Sequence, residues 1–167
     1  MDAAALRAAQ APVKDKYRAD PDTARTPTSA RGDYRDPGVT ATVDGFAGAV
    51  RAGLHPAAGG DGQDACSADL LLEALLACAG VTLRAVATAM GVEVRSAALA
   101  ADGWWDARGT LGIDRAAPVG VQEIVLTLTL DTDADDAVLE RLATATERYC
   151  VVGQTLAAPP TVKVLRA

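Results

Sequence analysis

The sequence predicts an α+β fold, and three observations carry that expectation. Ser67–Met90 (SADLLLEALLACAGVTLRAVATAM) is a long apolar run with the length of a helix. Val121–Leu130 (VQEIVLTLTL) sets Ile124, Leu126, Leu128 and Leu130 against Val125, Thr127 and Thr129, the two-residue period of a strand. Strand-like segments lie on both sides of helical ones without the regular alternation of a doubly wound sheet. A chain of 167 residues suits one folding domain.

The remaining elements follow in order. Asp2–Arg18 spaces Ala3, Leu6, Ala9 and Val13 three or four apart, a helix that Pro12 interrupts and Asp20-Pro21 stops. Residues 23–38 are polar, carry two prolines and read as an extended connection. Val39–Asp44 is rich in β-branched residues and reads as a strand, with a second short strand over Ala47–Arg51. Gly53–Asp64, with its glycines and a proline, is a loop that delivers the chain to Ser67 as helix cap, with Asp69 in the positive first turn. Gly91 suits the left-handed residue that ends the long helix. Val92–Asp106 reads as a long strand ending near Trp104-Trp105, and Asp131–Asp136 as the acidic start of a helix whose apolar face is Val138, Leu139, Leu142 and Ala145. A short helix follows Cys150 to Leu156, Pro159-Pro160 stops it, and Thr161–Leu165 closes as a strand.

Composition narrows the function. A net charge of −6 argues against nucleic acid, which needs a basic surface. The N-terminus lacks an apolar signal core, and the charge-free window of the long helix, residues 74–83, falls short of the ~20 residues of a membrane span. A cytoplasmic protein without membrane partners is the expectation. Apolar residues go all round the Ser67–Met90 helix, so every side of it needs cover. A dimer would supply that cover, with Ala74, Ala77, Ala79 and Gly80 permitting close helix approach; a deeply buried helix in a monomer is the other solution.

The chemistry on offer is sulfur. Cys66 and Cys78 are twelve residues apart, ~18 Å along a helix, too far for a disulfide. Cys150, on another element, is free to approach Cys78. A buried free cysteine is commonly a small hydrophobe, so spacing alone leaves both roles open. No C-x-x-C pair exists, no metal or other cofactor is expected, and His55 before Pro56 reads as a solvated loop residue.

The LLLEALLAC and TLRAVA runs, the Val121–Leu130 strand, the following helix and the Tyr149-Cys150-Val151-Val152…Thr155-Leu156 block together resemble the OsmC/Ohr family of thiol-dependent peroxidases. The resemblance implies an intertwined homodimer with two long central helices packed against β-sheets. It places an OsmC-like domain at 38–167 and an N-terminal extension at 1–37. It also implies a peroxidatic Cys78, a resolving Cys150 and an activating arginine, for which Arg51 aligns best and Arg31 and Arg35 less well. The implied substrate is an organic hydroperoxide and the implied reductant an external dithiol, in defence against oxidative stress. The family holds its arginine with a glutamate ten residues before the cysteine; here Ala68 stands there, after Ser67 in place of proline, and Asp69 and Glu73 face away from Cys78. That departure supports an alternative: a non-catalytic member that binds a small apolar ligand or senses redox state, with Cys66 as a spare thiol.

Overall fold

The computed structural model describes residues 1–167 in two units, one of Met1–Pro27, Leu75–Ala101 and Val125–Ala167, the other of Thr28–Ala74 and Asp102–Ile124. In chain order the elements are α1 (Ala3–Ala19), β1 (Arg31–Asp33), β2 (Thr40–Gly45), β3 (Gly48–Gly53), α2 (Ser67–Met90), β4 (Ser96–Trp104), α3 (Ala107–Thr110), β5 (Gln122–Asp131), α4 (Asp136–Tyr149), α5 (Val151–Thr155) and β6 (Thr161–Arg166). The α+β class predicted from the sequence is what the chain adopts.

In the first unit the core gathers Leu83 and Ala87 of α2, Leu128 and Leu130 of β5, Leu139 and Leu142 of α4, and Val164 of β6. The period-2 reading of β5 holds: Ile124, Leu126, Leu128 and Leu130 are buried and the residues between them are not. Strand β5 lies between β4 and β6. It pairs with β6 in parallel, Val125 opposite Thr161 through Leu130 opposite Arg166. A parallel neighbour requires a crossover, and α4 and α5 form it. Helix α4 starts one turn later than its acidic run suggests, because the Asp135 carboxylate accepts the Val138 N–H at 2.8 Å and so caps it.

Helix α2 buries Leu75, Ala79, Leu83 and Ala87, a stripe at i+4 spacing. By length and composition it could cross a membrane, contrary to the reading from its charge-free window; the stripe makes it a core helix instead. Within the chain only that stripe is fully buried, while Val81 is 73% exposed and Leu71 and Met90 are exposed as well. Cys66, rather than Ser67, precedes the helix and offers its carbonyl to the Leu70 N–H at 3.0 Å. Gly91 ends it at φ +70°, with the Val92 N–H returning to the Ala87 carbonyl at 2.9 Å. Gly80 faces β4, where a Cβ would come 2.8 Å from Leu99 Cδ1.

Helix α1 runs through Pro12 and buries no residue. Ala8, whose carbonyl loses a partner at Pro12, is exposed, so water can take that bond.

The second unit holds an antiparallel sheet in the order β1-β2-β3, with Thr42 opposite Arg51 and Gly32 opposite Val43. Strand β1 lies inside the stretch read as a connection; three residues of Arg-Gly-Asp carry no period to detect. The 53–64 segment is a loop as expected. The strand expected over Val92–Asp106 is confined to β4; just before it Arg95 donates through its backbone to the Asp131 carbonyl and through its guanidinium to Asp131 and Asp133.

Candidate functional site

Cys78 sits half-buried on α2, one turn beyond Leu75, and Cys150 sits at the turn between α4 and α5, 2% exposed. The backbone of Cys150 is extended, at φ −73° and ψ 104°, which breaks the helix there. Its N–H still donates to the Thr146 carbonyl at 3.0 Å, closing α4. Its carbonyl accepts the Gln154 N–H at 2.9 Å and its sulfur accepts the Gly153 N–H at 3.4 Å, opening α5. A thiol thus fills the capping place that serine or asparagine usually takes. The Gln154 side chain donates back to the Glu147 carbonyl at 2.9 Å and laces the two helices together. Gly153 is buried with its α-carbon hydrogen toward Leu75, so the start of α5 packs on α2 near Cys78.

That packing sets the Cys150 thiol beside Cys78, close enough for each to shift the pKa of the other. Burial raises the Cys78 thiol. Hydrogen bonds from the Val152 N–H, the Cys150 thiol, the Val151 N–H and the Thr82 hydroxyl outweigh burial, and its pKa lies below the usual cysteine value. Cys150 moves the other way: burial raises it first, and its hydrogen bond to Cys78 and the negative charge there raise it further, against donors from Gly153 and Val152. The pair therefore ionises at Cys78 and keeps its proton on Cys150. Sequence reasoning expected burial to oppose ionisation and looked only for an arginine to offset it; the amides of Val151 and Val152 and the Thr82 hydroxyl were missed. Thr82 had a signal, four residues after Cys78 on one helix face. The amides had none, since they depend on how α5 packs.

In the second unit Arg51, on β3, donates from Nε to Asp64 Oδ1. The Asp64 side chain is only 13% exposed and lies against Gly53, where a Cβ would fall 2.5 Å from Asp64 Oδ2. Reciprocal backbone bonds, Gly53 N–H to the Ala65 carbonyl at 3.1 Å and Ala65 N–H to the Arg51 carbonyl at 3.0 Å, hold the two segments together. Asp64 is thus the carboxylate partner of Arg51 that the sequence reading did not find; Asp69 and Glu73 are exposed and form no ion pair. Arg35 is held by Asp33 and Asp44 at 2.6 and 2.7 Å, and Arg31 is exposed on β1. An open cleft of ≈ 580 Å³ lies between Tyr34, Val39, Ala41, Ala52, Leu54 and Ser67. His55 is not a solvated loop residue. It is half-buried, accepts the Ala57 N–H on Nδ1 at 3.0 Å and meets the Trp105 ring edge-on at 5.4 Å. No three His, Cys, Asp or Glu side chains converge as a metal would require.

The family model described as OsmC-like protein matches residues 60–165, which include both cysteines of the pair. The chain belongs to the OsmC-like family. Solved structures agree on the fold of this OsmC-like protein. An OsmC-like protein from Mycoplasma pneumoniae superposes with a TM-score of 0.66 at 15% identity, covering 85% of this chain and 95% of that one. An organic hydroperoxide resistance protein from Legionella pneumophila gives 0.59 at 16%, covering 85% and 97%. The organic hydroperoxide resistance protein OhrB of Bacillus subtilis gives 0.54 at 17%, covering 85% and 98%. A search of the curated proteins finds no match to the sequence.

Proposed function

We propose that this OsmC-like protein is a cytoplasmic thiol peroxidase that reduces organic hydroperoxides, with Cys78 as nucleophile, Cys150 as resolving thiol and Arg51 as the activating cation. The observation that carries the reading is the polarised sulfur pair: one thiol biased toward its anion lies beside one biased toward its proton. In the first step the Cys78 thiolate attacks the terminal peroxide oxygen. The S–O bond forms, the O–O bond breaks, and the departing alkoxide takes a proton to become the alcohol. Sulfur is oxidised by two electrons to the sulfenic acid. Cys150 then forms the S–S bond as water leaves, and an external dithiol restores both thiols by two exchange steps. The match to a family that includes organic hydroperoxide resistance proteins supports this substrate class. Three unpaired cysteines suit a reducing compartment. The incompletely covered α2 supports the homodimer, with residues 38–167 as the catalytic domain and 1–37 as an extension.

Ala68, in the place of the family's glutamate, favours a second reading, a redox-sensing or apolar-ligand-binding protein. One equivalent of cumene hydroperoxide followed by disulfide mapping separates the two. A peroxidase gives a Cys78–Cys150 disulfide, sustained turnover with dithiothreitol, and none after Cys78→Ser. Thiols that stay reduced, or a bridge through Cys66, would overturn the peroxidase.

A further inference from the structure

Helix α5 is fastened at its start by sulfur: the buried Cys150 Sγ accepts the Gly153 N–H at 3.4 Å. Little else holds the turn in place. Val151, Val152 and Thr155 are β-branched and Gly153 is a glycine, so only Gln154 among its residues is a good helix former. One turn is far short of the length at which a helix holds by itself in water. Gly153 is its only buried residue and brings no side chain to the core, while Val151 is 73% exposed. The Gln154 side chain bond to the Glu147 carbonyl and the Thr155 hydroxyl bond to the Val151 carbonyl lie at the surface, where water competes for them. The turn in its place covers the sulfur. A Cβ on Gly153 would lie 3.4 Å from Cys150 Sγ and 3.6 Å from Leu75 Cδ1, so α5 closes over Cys150 against the turn of α2 that runs from Leu75 to Cys78.

We propose that this cap is a redox switch: forming the Cys78–Cys150 disulfide withdraws the sulfur from the Gly153 amide and releases α5, the cover that keeps an external dithiol from Cys150. Two thiols give up two electrons and two protons as the S–S bond forms. That bond is much shorter than any contact between free sulfurs, so Cys150 Sγ is drawn off its seat, and sulfur is a weak acceptor to begin with. Reduction returns the sulfur to the amide and closes the turn.

The proposal rests on the Cys78–Cys150 pair of the proposed function and not on peroxide as its oxidant, and the test separates the two. Full-length protein is compared as the dithiol and after oxidation with diamide, which takes up the two electrons and two protons as it becomes a hydrazine. The bridge is mapped by mass spectrometry, and amide hydrogen exchange is followed in the peptide that spans α5. Loss of a helix cap should speed that exchange roughly threefold to tenfold in the bridged protein, with the amides of β5 unchanged. Cys150→Ser keeps a capping oxygen, Cys78→Ser keeps the capping thiol, and neither can form the bridge. Both variants, checked for native fold by circular dichroism, should exchange alike before and after diamide. A mapped bridge with unchanged α5 exchange would overturn the switch, as would an equal acceleration in Cys78→Ser. Failure of diamide to bridge the pair would overturn both the switch and the resolving role of Cys150. A bridge formed by diamide and never by cumene hydroperoxide, with α5 released, leaves the switch standing and removes the peroxidase.

Discussion

Cys78 and Cys150 share a side chain and differ in what surrounds it. An acid whose pKa is lowered carries its anion at lower pH, so alkylation of Cys78 should begin at lower pH than that of Cys150. Peptide-resolved iodoacetamide labelling checks the order, and Cys150 reacting first would remove the basis for calling Cys78 the nucleophile. Cys150→Ser should leave the first oxidation intact and strand Cys78 as a sulfenic acid, trapped by dimedone. Both cysteines were legible in the sequence because each is a rare residue in an identifiable setting. Asp64 was not, because its pairing with Arg51 depends on where a glycine loop closes after a dozen residues, and no local period records that. The departure at Ala68 was legible; that a different carboxylate occupies the arginine was not.

Among the elements, β5 and α2 were read with little error because each repeats its own signal many times. Where the signal was short, the reading failed: the three residues of β1 carry none, and the first turn of α4 was set by the Asp135 cap rather than by the acidic run before it. The same physics ranks the cost of change. Leu142→Ala removes a fully buried side chain from the α4 face and should cost about 2–5 kcal/mol in urea unfolding. Asp135→Ala, which loses only the cap, should cost about 1 kcal/mol. Gly91→Ala forces a side chain into a left-handed backbone and should cost about 1 kcal/mol by the same measurement. A Leu142→Ala value as small as that of Asp135→Ala would contradict the core described above.

At the scale of the whole molecule, the sequence asked for cover on every side of α2, and one chain fully buries a single stripe of it. Periodicity records that demand and not the surface that would meet it. If a second copy does, sedimentation velocity should give about twice the 17.0 kDa of the chain, and Val81→Arg, at 73% exposure, should shift it toward the single-chain mass. An unchanged mass in that variant would place the contact elsewhere. The parallel seam of β5 and β6 has a consequence for how the protein is born. Its two halves lie 36 residues apart, Val125 beside Thr161, and the segment that bridges them delivers Cys150. A nascent chain exposes Cys78 long before the ribosome has made that seam. Throughout that interval Cys78 lacks the Val151 and Val152 amides that lower its pKa, so the thiol of a growing chain holds its proton more firmly than that of the folded protein.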